Sequence, residues 1–502
     1  MRLFGIETEY GINREDLAEF DPVVESMELV RSYVTGKFER AWDYSGEDPH
    51  EDQRGFRVSG LQQDVEEEQF AKLDAHRPFS FYEMKSDLVL TNGARFYNDH
   101  THPEYSTPEC RTLRDLVAHD RAGERIIQQA ANIRNRTLGN PVVQLYKNNT
   151  DFHGHSYGCH DNYLIPRGIP FDRLAQGLLP FLISRQLFAG AGKVGVEAQE
   201  TMSQTSCYQI SQRADFMETT LSVDTMHNRP ILNTRDEPHA DRAKYRRLHL
   251  IVGDANMCEY ATALKIGTTR LVLDLIERDV APTLELADPV EAIKILSRDP
   301  DLQTRVPLQS GKELTGVDIQ KTFLEAAQKH LAGTDTETDW VLAQWTDTLQ
   351  LLANDPSALF GRVDWITKQW LLETFMEEEH VTWSDPWLAS LDLEYHNVNP
   401  ERGLFYGLEV EGKVTRICTD EEIEQARRDG PQDTRAGIRG LCIQKFHSEI
   451  QSVQWEQLHI NGVKPARILD MNDLFEADQI DSLRERIEKA ASLSELTLPS
   501  SD

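Results

Sequence analysis

The chain has 502 residues and a mass of 57.4 kDa, which is enough for one large domain and a smaller one. Hydrophobic residues make up 39% and charged residues 27% of the sequence, a balance that is typical of globular proteins and excludes a disordered chain. The formal net charge of −31 argues against nucleic acid as a general partner, because phosphate binding requires clustered Lys and Arg. Adaptation for solubility is an alternative explanation of the charge.

The sequence has no pattern typical of membrane insertion or export. No apolar run approaches the roughly 18 residues that span a bilayer, and the first residues lack the basic and then apolar order of a signal peptide. The six cysteines lie far apart without a Cys-x-x-Cys pair, which suits a reducing compartment. We therefore expect a cytoplasmic protein without membrane contact.

The first predicted element is a strand, residues 2–6, that continues into Glu7 and Glu9. Side chains alternate between faces along a strand, so these two carboxylates share one face. They repel each other unless a cation lies between them, and Mg²⁺ prefers carboxylate oxygens. The pattern indicates a metal site; the alternative is a solvated edge strand whose charges prevent aggregation.

A helix is predicted at residues 21–33, and a long polar insertion follows at residues 40–77. The insertion contains the segments WDYSGEDPHEDQRGF and LQQDVEEEQF. Long loops in compact domains are usually either functional lids or disordered. We interpret this insertion as a mobile gate over the site, with plain disorder as the alternative.

Directly after the insertion, residues 87–110 predict a hairpin. Residues 88–90 form a short apolar run, Asn92 and Gly93 match the preferred two-residue type I′ turn, and residues 94–99 return as the second strand. The hairpin is the most informative part of the sequence, because polar side chains fall on one of its faces.

That face carries Arg95, Tyr97 and Asp99, while the residues between them point to the opposite face. A guanidinium, a phenol and a carboxylate on one face are not core residues. Glu104 follows in a His-Pro-Glu-Tyr turn, in which Pro103 keeps the chain extended. We expect this face to form one wall of a metal-nucleotide site.

Apolar strands recur through the middle of the chain, accompanied by predicted helices at residues 171–188 and 261–277. Residues 282–395 are predicted to be mostly helical and carry six of the eight tryptophans, which we interpret as packing residues. From residue 404 the sequence changes character, with predicted strands near GLFYGLEV and SVQWEQLHI and a closing helix at residues 479–490. This region is expected to form a small second domain.

Four further residues are candidates for the site. His160 and His249 offer N-donors, although a lone histidine is more often structural; Arg247 shares the strand face of His249. Arg213 and Arg235 are suited to polyphosphate, with ion pairs to neighbouring aspartates as the alternative. Oxygen and nitrogen donors without thiolate favour Mg²⁺ or Mn²⁺. Since the chain lacks P-loop and protein-kinase signatures, we predict a metal-nucleotide site on an antiparallel sheet.

Seven motifs extend over nearly the whole chain: GIETEYGI, TNGARFYNDHTHPEYSTPEC, QLYKNN, SYGCHDNYL, SRQLFAGAGKVG, NTRDEPHAD and YRRLHLIVGDAN. In order and spacing they resemble the Pup ligase/Pup deamidase family, where Pup is the prokaryotic ubiquitin-like protein. This family belongs to the carboxylate-amine ligase superfamily with glutamine synthetase. The resemblance implies an α+β fold with a curved antiparallel sheet flanked by helices, a catalytic domain at residues 1–403 and a small C-terminal domain at residues 404–502.

The resemblance also implies roles for individual residues. Asp99 corresponds to the acidic catalytic residue of the family, and the cofactors are ATP and Mg²⁺. The implied metal ligands are Glu7, Tyr97 and Glu104, with His160 and His249 for a second metal and Glu9 as an addition. The implied nucleotide contacts are Arg95, Thr107, Arg213, Arg235 and Trp455, whose indole would pack on the adenine.

The implied reaction is hydrolysis at the C-terminal residue of Pup, either deamidation of its glutamine or cleavage of its isopeptide bond to a substrate lysine. Pup and pupylated proteins are then the partners of a chain that acts as a monomer. Deamidase is favoured over ligase because the insertion resembles a WDY…RGF segment that the ligases lack. The alternatives are a Pup–protein ligase, a catalytically silent Pup- or nucleotide-binding regulator, and a small-molecule glutamate ligase.

Overall fold

An antiparallel sheet of six strands lies at the centre of the fold, in a computed structural model that describes residues 2–33, 42–62, 69, 72–197, 208–461, 467–496 and 498–499. The strands of these residues are β1 (Phe4–Glu9), β2 (Gly11–Arg14), β3 (Leu88–Val89), β4 (Arg95–Asp99), β5 (His102–Ser106), β6 (Val143–Tyr146), β7 (Cys159–Pro166), β8 (Lys193–Val194), β9 (Tyr208–Gln209), β10 (Thr219–Ser222), β11 (Pro230–Asn233), β12 (Tyr245–Leu250), β13 (Arg305–Pro307), β14 (Glu313–Thr315), β15 (Ile450–Val453), β16 (Gln457–Ile460), β17 (Arg467–Asp470) and β18 (Leu498–Pro499). The central sheet has the strand order β12-β7-β1-β5-β4-β3.

The helices surround this sheet and fill the region between β14 and β15. They are α1 (Pro22–Ser32), α2 (Phe81–Lys85), α3 (Leu113–Leu138), α4 (Phe171–Ala189), α5 (Glu259–Glu277), α6 (Pro289–Ser297), α7 (Gly316–Leu331), α8 (Thr336–Asn354), α9 (Asp364–Glu379), α10 (Pro386–Tyr395), α11 (Leu404–Val410), α12 (Asp420–Arg428), α13 (Arg435–Phe446) and α14 (Ala477–Lys489). The predictions of two helices in the middle of the chain, now α4 and α5, and of a mostly helical region after them are confirmed. No helix of the described residues is long and apolar enough to cross a membrane.

The two faces of the central sheet differ in polarity, because side chains alternate along each strand. In β1, Phe4, Ile6 and Thr8 are buried, whereas Glu7 and Glu9 are half-buried on the opposite face. The buried face packs with α3, α4 and α5 into one large apolar core. The polar face is therefore the one that carries the candidate site.

Local signals set the ends of the helices around the sheet. Asp21 accepts hydrogen bonds from two backbone N–H groups at the start of α1, and Pro22 occupies the first turn, where its missing N–H is tolerated. The hydroxyl of Thr112 caps the start of α3, and the helix ends at Gly139, whose φ of 80° lies in the left-handed region that favours glycine. The helix predicted at residues 21–33 is confirmed as α1.

The hairpin between β3 and β4 exists, but the predicted type I′ turn is wrong. A type I′ turn needs positive φ at both central residues; Gly93 has φ 77°, whereas Asn92 lies outside the positive-φ region. The Gly93 N–H donates to the Leu90 carbonyl and the Leu90 N–H to the Ala94 carbonyl, both at 2.9 Å. The loop is therefore a three-residue one, and the Asn92 amide is directed to the Tyr105 hydroxyl at 3.0 Å.

The C-terminal region builds an apolar core of its own from α13, β15, β16, β17 and α14. Residues 404–410 form helix α11, so the strand predicted there is wrong: Phe405 and Leu408, three residues apart, lie on one helical face and are both buried. The strands near SVQWEQLHI and the closing helix are confirmed as β15, β16 and α14. Helices α11 and α12 pack beside α3, α5 and α10, and a domain boundary at residue 404 stays a proposal.

The described part of the insertion, residues 42–62, packs against both regions. Trp42 belongs to the C-terminal core. The Gln53 N–H donates to the Thr234 carbonyl at 2.8 Å, on the chain segment that leads from β11 to β12. Parts of the predicted gate, residues 40–41, 63–68 and 70–71, lie outside the described residues, and its mobility stays a prediction.

Candidate active site

Strand register brings Glu7, His160 and His249 together on the polar face. Glu7 on β1 lies opposite His160 on β7, and His249 lies on the neighbouring strand β12. The Glu7 Oε2 atom is 3.5 Å from His160 Nδ1 and 3.6 Å from His249 Nε2. One ligand atom of each residue lies within 4.8 Å of the other two, a spacing at which all three can bind one metal ion. We call this set the histidine cluster.

His249 has the environment of a metal ligand. Its side chain is 8% exposed, and both ring nitrogens are buried without a hydrogen-bond partner among the described residues. Burial, and then the charge of Arg247, lower the pKa of His249 well below its ordinary value. The ring is therefore neutral at pH 7, the form that binds metal. A buried polar group without a partner costs about 1–3 kcal/mol, which a bound ion offsets.

Glu9, Asp99 and Glu104 form a second group, the carboxylate cluster, with one oxygen of each within 4.8 Å of the others. Antiparallel pairing places Glu9 opposite Glu104, and Asp99 ends the adjacent strand β4. Burial, and then the charges of Asp99, Glu7 and Glu9, raise the pKa of Glu104 well above its ordinary value. Oxygen ligands under such repulsion fit a hard divalent cation such as Mg²⁺.

Tyr97 lies beside the carboxylate cluster. Its hydroxyl donates to Glu104 Oε1 at 2.6 Å, and burial and then the Glu104 charge raise the pKa of Tyr97 well above its ordinary value. A phenol in this state is a hydrogen-bond donor. In the described structure Tyr97 therefore orients Glu104, and its role as a metal ligand stays a prediction.

Asp99 is bonded to Lys85, the last residue of α2. The Lys85 ammonium lies 2.5 Å from Asp99 Oδ1, and the Asp99 side chain is 41% exposed. The loss of solvation on burial raises the pKa of Asp99, but the charge and hydrogen bond of Lys85 outweigh it and lower the pKa to about 2. Asp99 is therefore ionised at neutral pH and accessible from the site.

Arg95 lies on the same face and is held by several partners. Its guanidinium carbon is 4.1 Å from the ring centre of Trp42 and 3.8 Å from that of Tyr97. Its Nε and Nη2 atoms donate to Asp87 Oδ1 at 2.9 and 2.6 Å, and Nη2 also donates to Tyr44 at 2.6 Å. Trp42 and Tyr44 belong to the insertion, which thus reaches Arg95. A nucleotide contact of Arg95 stays a prediction.

A cavity with about 570 Å³ of empty volume, part of it open to solvent, lies beside the histidine cluster. Its lining includes Glu7, Thr107, Arg247, Arg435 and Trp455. The Thr107 hydroxyl accepts a backbone N–H of β1 at 3.0 Å, which fixes its orientation. Two predicted nucleotide contacts, Thr107 and Trp455, thus share one cavity with the predicted metal ligand Glu7.

The predicted phosphate-binding arginines are not among the lining residues of that cavity. Arg213 is 2% exposed and its Nε atom has no hydrogen-bond partner among the described residues. Burial, and then the charge of Arg229, lower the pKa of Arg213 to about 10, while the charge of Glu9 opposes this. Arg213 therefore stays protonated at pH 7, and its Nη1 atom donates to the Tyr157 carbonyl at 2.5 Å. A phosphate contact of Arg213 stays a prediction.

The aspartates near these arginines pair elsewhere. Asp215 is 2.6 Å from Arg298, and Asp236 is 2.7 Å from Arg167. Arg235 donates from its Nε to a backbone carbonyl at 2.8 Å. The local ion pairs that sequence reasoning offered as an alternative are therefore not formed with these two partners.

Sequence reasoning missed several residues of this region. No sequence pattern indicated that Lys85 belongs to the site, because its contact with Asp99 depends on the packing of α2 against β4. Arg247 was noted only for sharing a face with His249; its Nη1 atom lies 3.2 Å from Glu7 Oε1. Arg435 donates to Glu109 at 2.8 Å across 326 residues of sequence, which no local pattern indicates.

An antiparallel sheet carries two groups of donors, each of which could hold a metal ion, beside a cavity. Residues 2–459 match the family model described as Pup-ligase protein. The chain belongs to the Pup-ligase family.

Curated relatives with two activities match this chain. The depupylase of Acidothermus cellulolyticus is 42% identical over 470 residues, covering 91% of this chain and 90% of the relative. The Pup deamidase/depupylase of Mycolicibacterium smegmatis is 39% identical over 509 residues, covering 97% of this chain and 99% of the relative. A Pup–protein ligase of Acidimicrobium ferrooxidans is 44% identical over 411 residues, covering 79% of this chain and 89% of the relative.

Two solved structures of the Pup ligase PafA share the fold. The complex of PafA with Pup gives a TM-score of 0.79 at 33% identity and covers 98% of this chain and 93% of that one. PafA in complex with ADP gives a TM-score of 0.74 at 36% identity and covers 86% of this chain and 97% of that one. The predicted α+β fold with an antiparallel sheet is thereby confirmed.

Proposed function

We propose that this protein is an ATP- and Mg²⁺-dependent hydrolase that deamidates the C-terminal glutamine of Pup and cleaves the isopeptide bond between Pup and a substrate lysine. The observation that carries the proposal is Asp99, an accessible carboxylate next to Glu9 and Glu104 and close to a histidine cluster. The match to a depupylase over 91% of the chain supports the choice of substrate.

The residues divide into roles by their chemistry. Two divalent ions would be held. The ligands of one would be Glu9 and Glu104, and the ligands of the other would be the histidine cluster, Glu7, His160 and His249. When bound, such ions hold a polyphosphate and stabilise negative charge on the reacting oxygen. Tyr97 is either a further ligand or, through its hydrogen bond, the group that orients Glu104.

Asp99 acts as nucleophile or as base. As nucleophile, it forms a bond to the side-chain carbonyl carbon of Pup while the C–N bond breaks and the amine leaves with a proton from solvent; water then cleaves the resulting anhydride, which releases the carboxylate of Pup and restores Asp99. As base, it takes a proton from a water whose oxygen attacks the same carbon; the C–N bond then breaks, the amine leaves with that proton, and the carboxylate of Pup is released. Arg213 and Arg235 are the cationic groups proposed to bind the phosphates beside this centre.

ATP is the proposed nucleotide, and the ADP complex of PafA supports this. Trp455 would pack on the adenine in the cavity that Thr107 also lines, and Arg95 would contact the nucleotide after release from Asp87. ATP would act as a cofactor without stoichiometric consumption. We further propose a cytoplasmic monomer whose partners are Pup and pupylated proteins; the formal net charge of −31 argues against nucleic acid as a general partner.

The second candidate is a Pup–protein ligase, which the fold equally accommodates. The hydrolase is favoured because the insertion resembles the WDY…RGF segment, and because the depupylase and the Pup deamidase/depupylase relatives align over 91% and 97% of this chain. A silent Pup- or nucleotide-binding regulator is disfavoured because Asp99 and both donor clusters are present together. A small-molecule glutamate ligase would release ADP with free amino acids in the absence of Pup.

The test uses the purified full chain with a pupylated protein, ATP and Mg²⁺, followed by gel electrophoresis and measurement of ADP. We expect free substrate protein and Pup with far less than one ADP per bond cleaved. Asp99→Asn should keep ATP binding and lose both activities by at least about a hundredfold, since a base or nucleophile contributes that much. Full depupylation by this variant would rule out the assignment, and ADP formation in proportion to new Pup–lysine bonds would favour the ligase.

A further inference from the structure

The three carboxylates of the carboxylate cluster are not equivalent. Asp99 is bonded at 2.5 Å to the Lys85 ammonium. Glu104 accepts from the neutral hydroxyl of Tyr97 at 2.6 Å, and the Glu9 Oε2 atom lies 3.7 Å from Nδ1 of His102. Among these described contacts, Asp99 is thus the one carboxylate of the three that is bonded to the Lys85 ammonium.

Helix α2 is built to hold Lys85 in this place. Ser80 and Glu83 form a capping box at its start. The Asn98 side chain donates to the Met84 carbonyl at 2.8 Å, and Arg31 donates to the Glu83 carbonyl at 2.8 Å. Because Asn98 precedes Asp99 on β4, the strand that carries the carboxylate also anchors the helix that carries the ammonium.

A carboxylate bonded to an ammonium is a weaker ligand for a metal ion, because the ammonium already compensates its charge. Asp99 Oδ1 is occupied by Lys85, and the Asp99 side chain is 41% exposed, so a substrate carbonyl can still approach the carboxylate. Glu9 and Glu104 carry no such compensation and are the stronger oxygen ligands of the cluster.

We propose that Lys85 is a positioning residue that keeps Asp99 off the metal and aims it at the substrate, leaving Glu9 and Glu104 as the oxygen ligands. This inference rests on the proposed function. Lys85 does not itself contact the reacting carbonyl, so its contribution is to the rate of the chemical step and not to the binding of ATP or of Pup.

The experiment compares Lys85→Met, which keeps the length of the side chain and removes the charge, with Lys85→Arg, which keeps the charge. The matched control is Lys244→Met, the same exchange at a side chain that is 55% exposed and pairs with Asp473. For each variant, kcat and KM on a pupylated protein, the Kd for ATP and the Kd for Mn²⁺ are measured. The wild type and Asp99→Asn are run in parallel.

We expect Lys85→Met to lower kcat at least tenfold with KM and the ATP Kd within about twofold of wild type. Its Mn²⁺ Kd should fall severalfold, because Asp99 becomes free to bind the metal. Lys85→Arg should regain most of kcat, and Lys244→Met should match wild type. An unchanged ATP Kd shows that the variant is folded.

Wild-type kcat in Lys85→Met would overturn the inference, as would a Lys85→Arg variant that is no better than Lys85→Met. An unchanged Mn²⁺ Kd together with a lowered kcat would overturn the part that concerns metal ligation. If the wild type releases no Pup, or if Asp99→Asn is fully active, the proposed function fails first, a result distinct from failure at Lys85 alone.

Discussion

At the scale of single residues, His249 has two buried ring nitrogens without a partner among the described residues, a state that costs free energy unless an ion binds. We predict that His249→Leu leaves the unfolding free energy of the metal-free protein unchanged or raises it by about 1 kcal/mol. The same variant should lose most of the stabilisation that Mg²⁺ and ATP confer, which for a ligand at a hundred times its Kd is about 2.7 kcal/mol. Chemical denaturation with and without Mg²⁺-ATP measures both quantities.

His119 on α3 provides the matched control. It is also buried, its Nδ1 atom lacks a hydrogen-bond partner among the described residues, and burial lowers its pKa to about 3. It belongs to neither donor cluster. His119→Leu should therefore keep the full stabilisation by Mg²⁺-ATP, and an equal loss in both variants would contradict a metal role for His249.

At the scale of elements, the described part of the insertion supports the arginine-bearing segments. The Gln53 amide donates to the backbone carbonyls of Arg235 at 2.7 Å and Arg247 at 2.8 Å, and Gln53 is only 6% exposed. We predict that Gln53→Leu weakens ATP binding about tenfold, because two partly buried carbonyls lose their donor and the arginines lose their fixed positions. Isothermal titration of ATP in the presence of Mg²⁺ measures this change.

Gln62, an exposed residue of the same segment, is the control for this substitution. Gln62→Leu should bind ATP as the wild type does. If Gln53→Leu binds ATP with unchanged affinity, the insertion does not position the arginines, and its contribution must lie elsewhere, for instance in a gate that opens for Pup.

The elements also show which parts of the structure could be predicted from the sequence. The alternation along β1 and β4 was enough to predict which side chains share the polar face, because that rule is local. The type of turn was not predictable, because Asn92 lies outside the positive-φ region and its amide donates to the carbonyl of Ala426 at 2.9 Å, a neighbour far away in sequence. The helix at residues 404–410 escaped prediction for a similar reason, since its apolar face is defined by packing partners.

For the whole molecule, the two apolar cores are connected by a cluster of ion pairs. Glu109 follows β5 and accepts hydrogen bonds from Arg435 at 2.8 Å and from Arg439 at 2.5 Å, both on α13. Arg435 and Trp455 line the cavity beside Glu7, so this cluster holds the C-terminal wall of the proposed nucleotide site. The sequence offered no evidence for this arrangement, because the partners are more than 300 residues apart.

Glu109 gives this connection a defined pH dependence. Burial raises the pKa of Glu109, but the charges of Arg439 and Arg435 outweigh it and lower the pKa from 4.5 to about 2. A carboxyl group with a depressed folded-state pKa contributes stability that is present above its unfolded pKa and is lost as the pH falls from 4.5 towards 2. The shift corresponds to about 3 kcal/mol at pH 7.

We therefore predict that Glu109→Gln lowers the unfolding free energy by about 3 kcal/mol at pH 7 and that this deficit shrinks as the pH falls from 4.5 towards 2. Guanidinium denaturation at a series of pH values measures the difference from wild type, and fluorescence reports ATP binding at Trp455. Glu485→Gln, at an exposed carboxylate that pairs with Lys489 on α14, should stay within about 0.5 kcal/mol of wild type throughout. The deficit in unfolding free energy of Glu109→Gln could instead persist unchanged at pH 3. That result would mean that the ion pairs of Glu109 do not hold the two cores together and that packing alone orients Trp455.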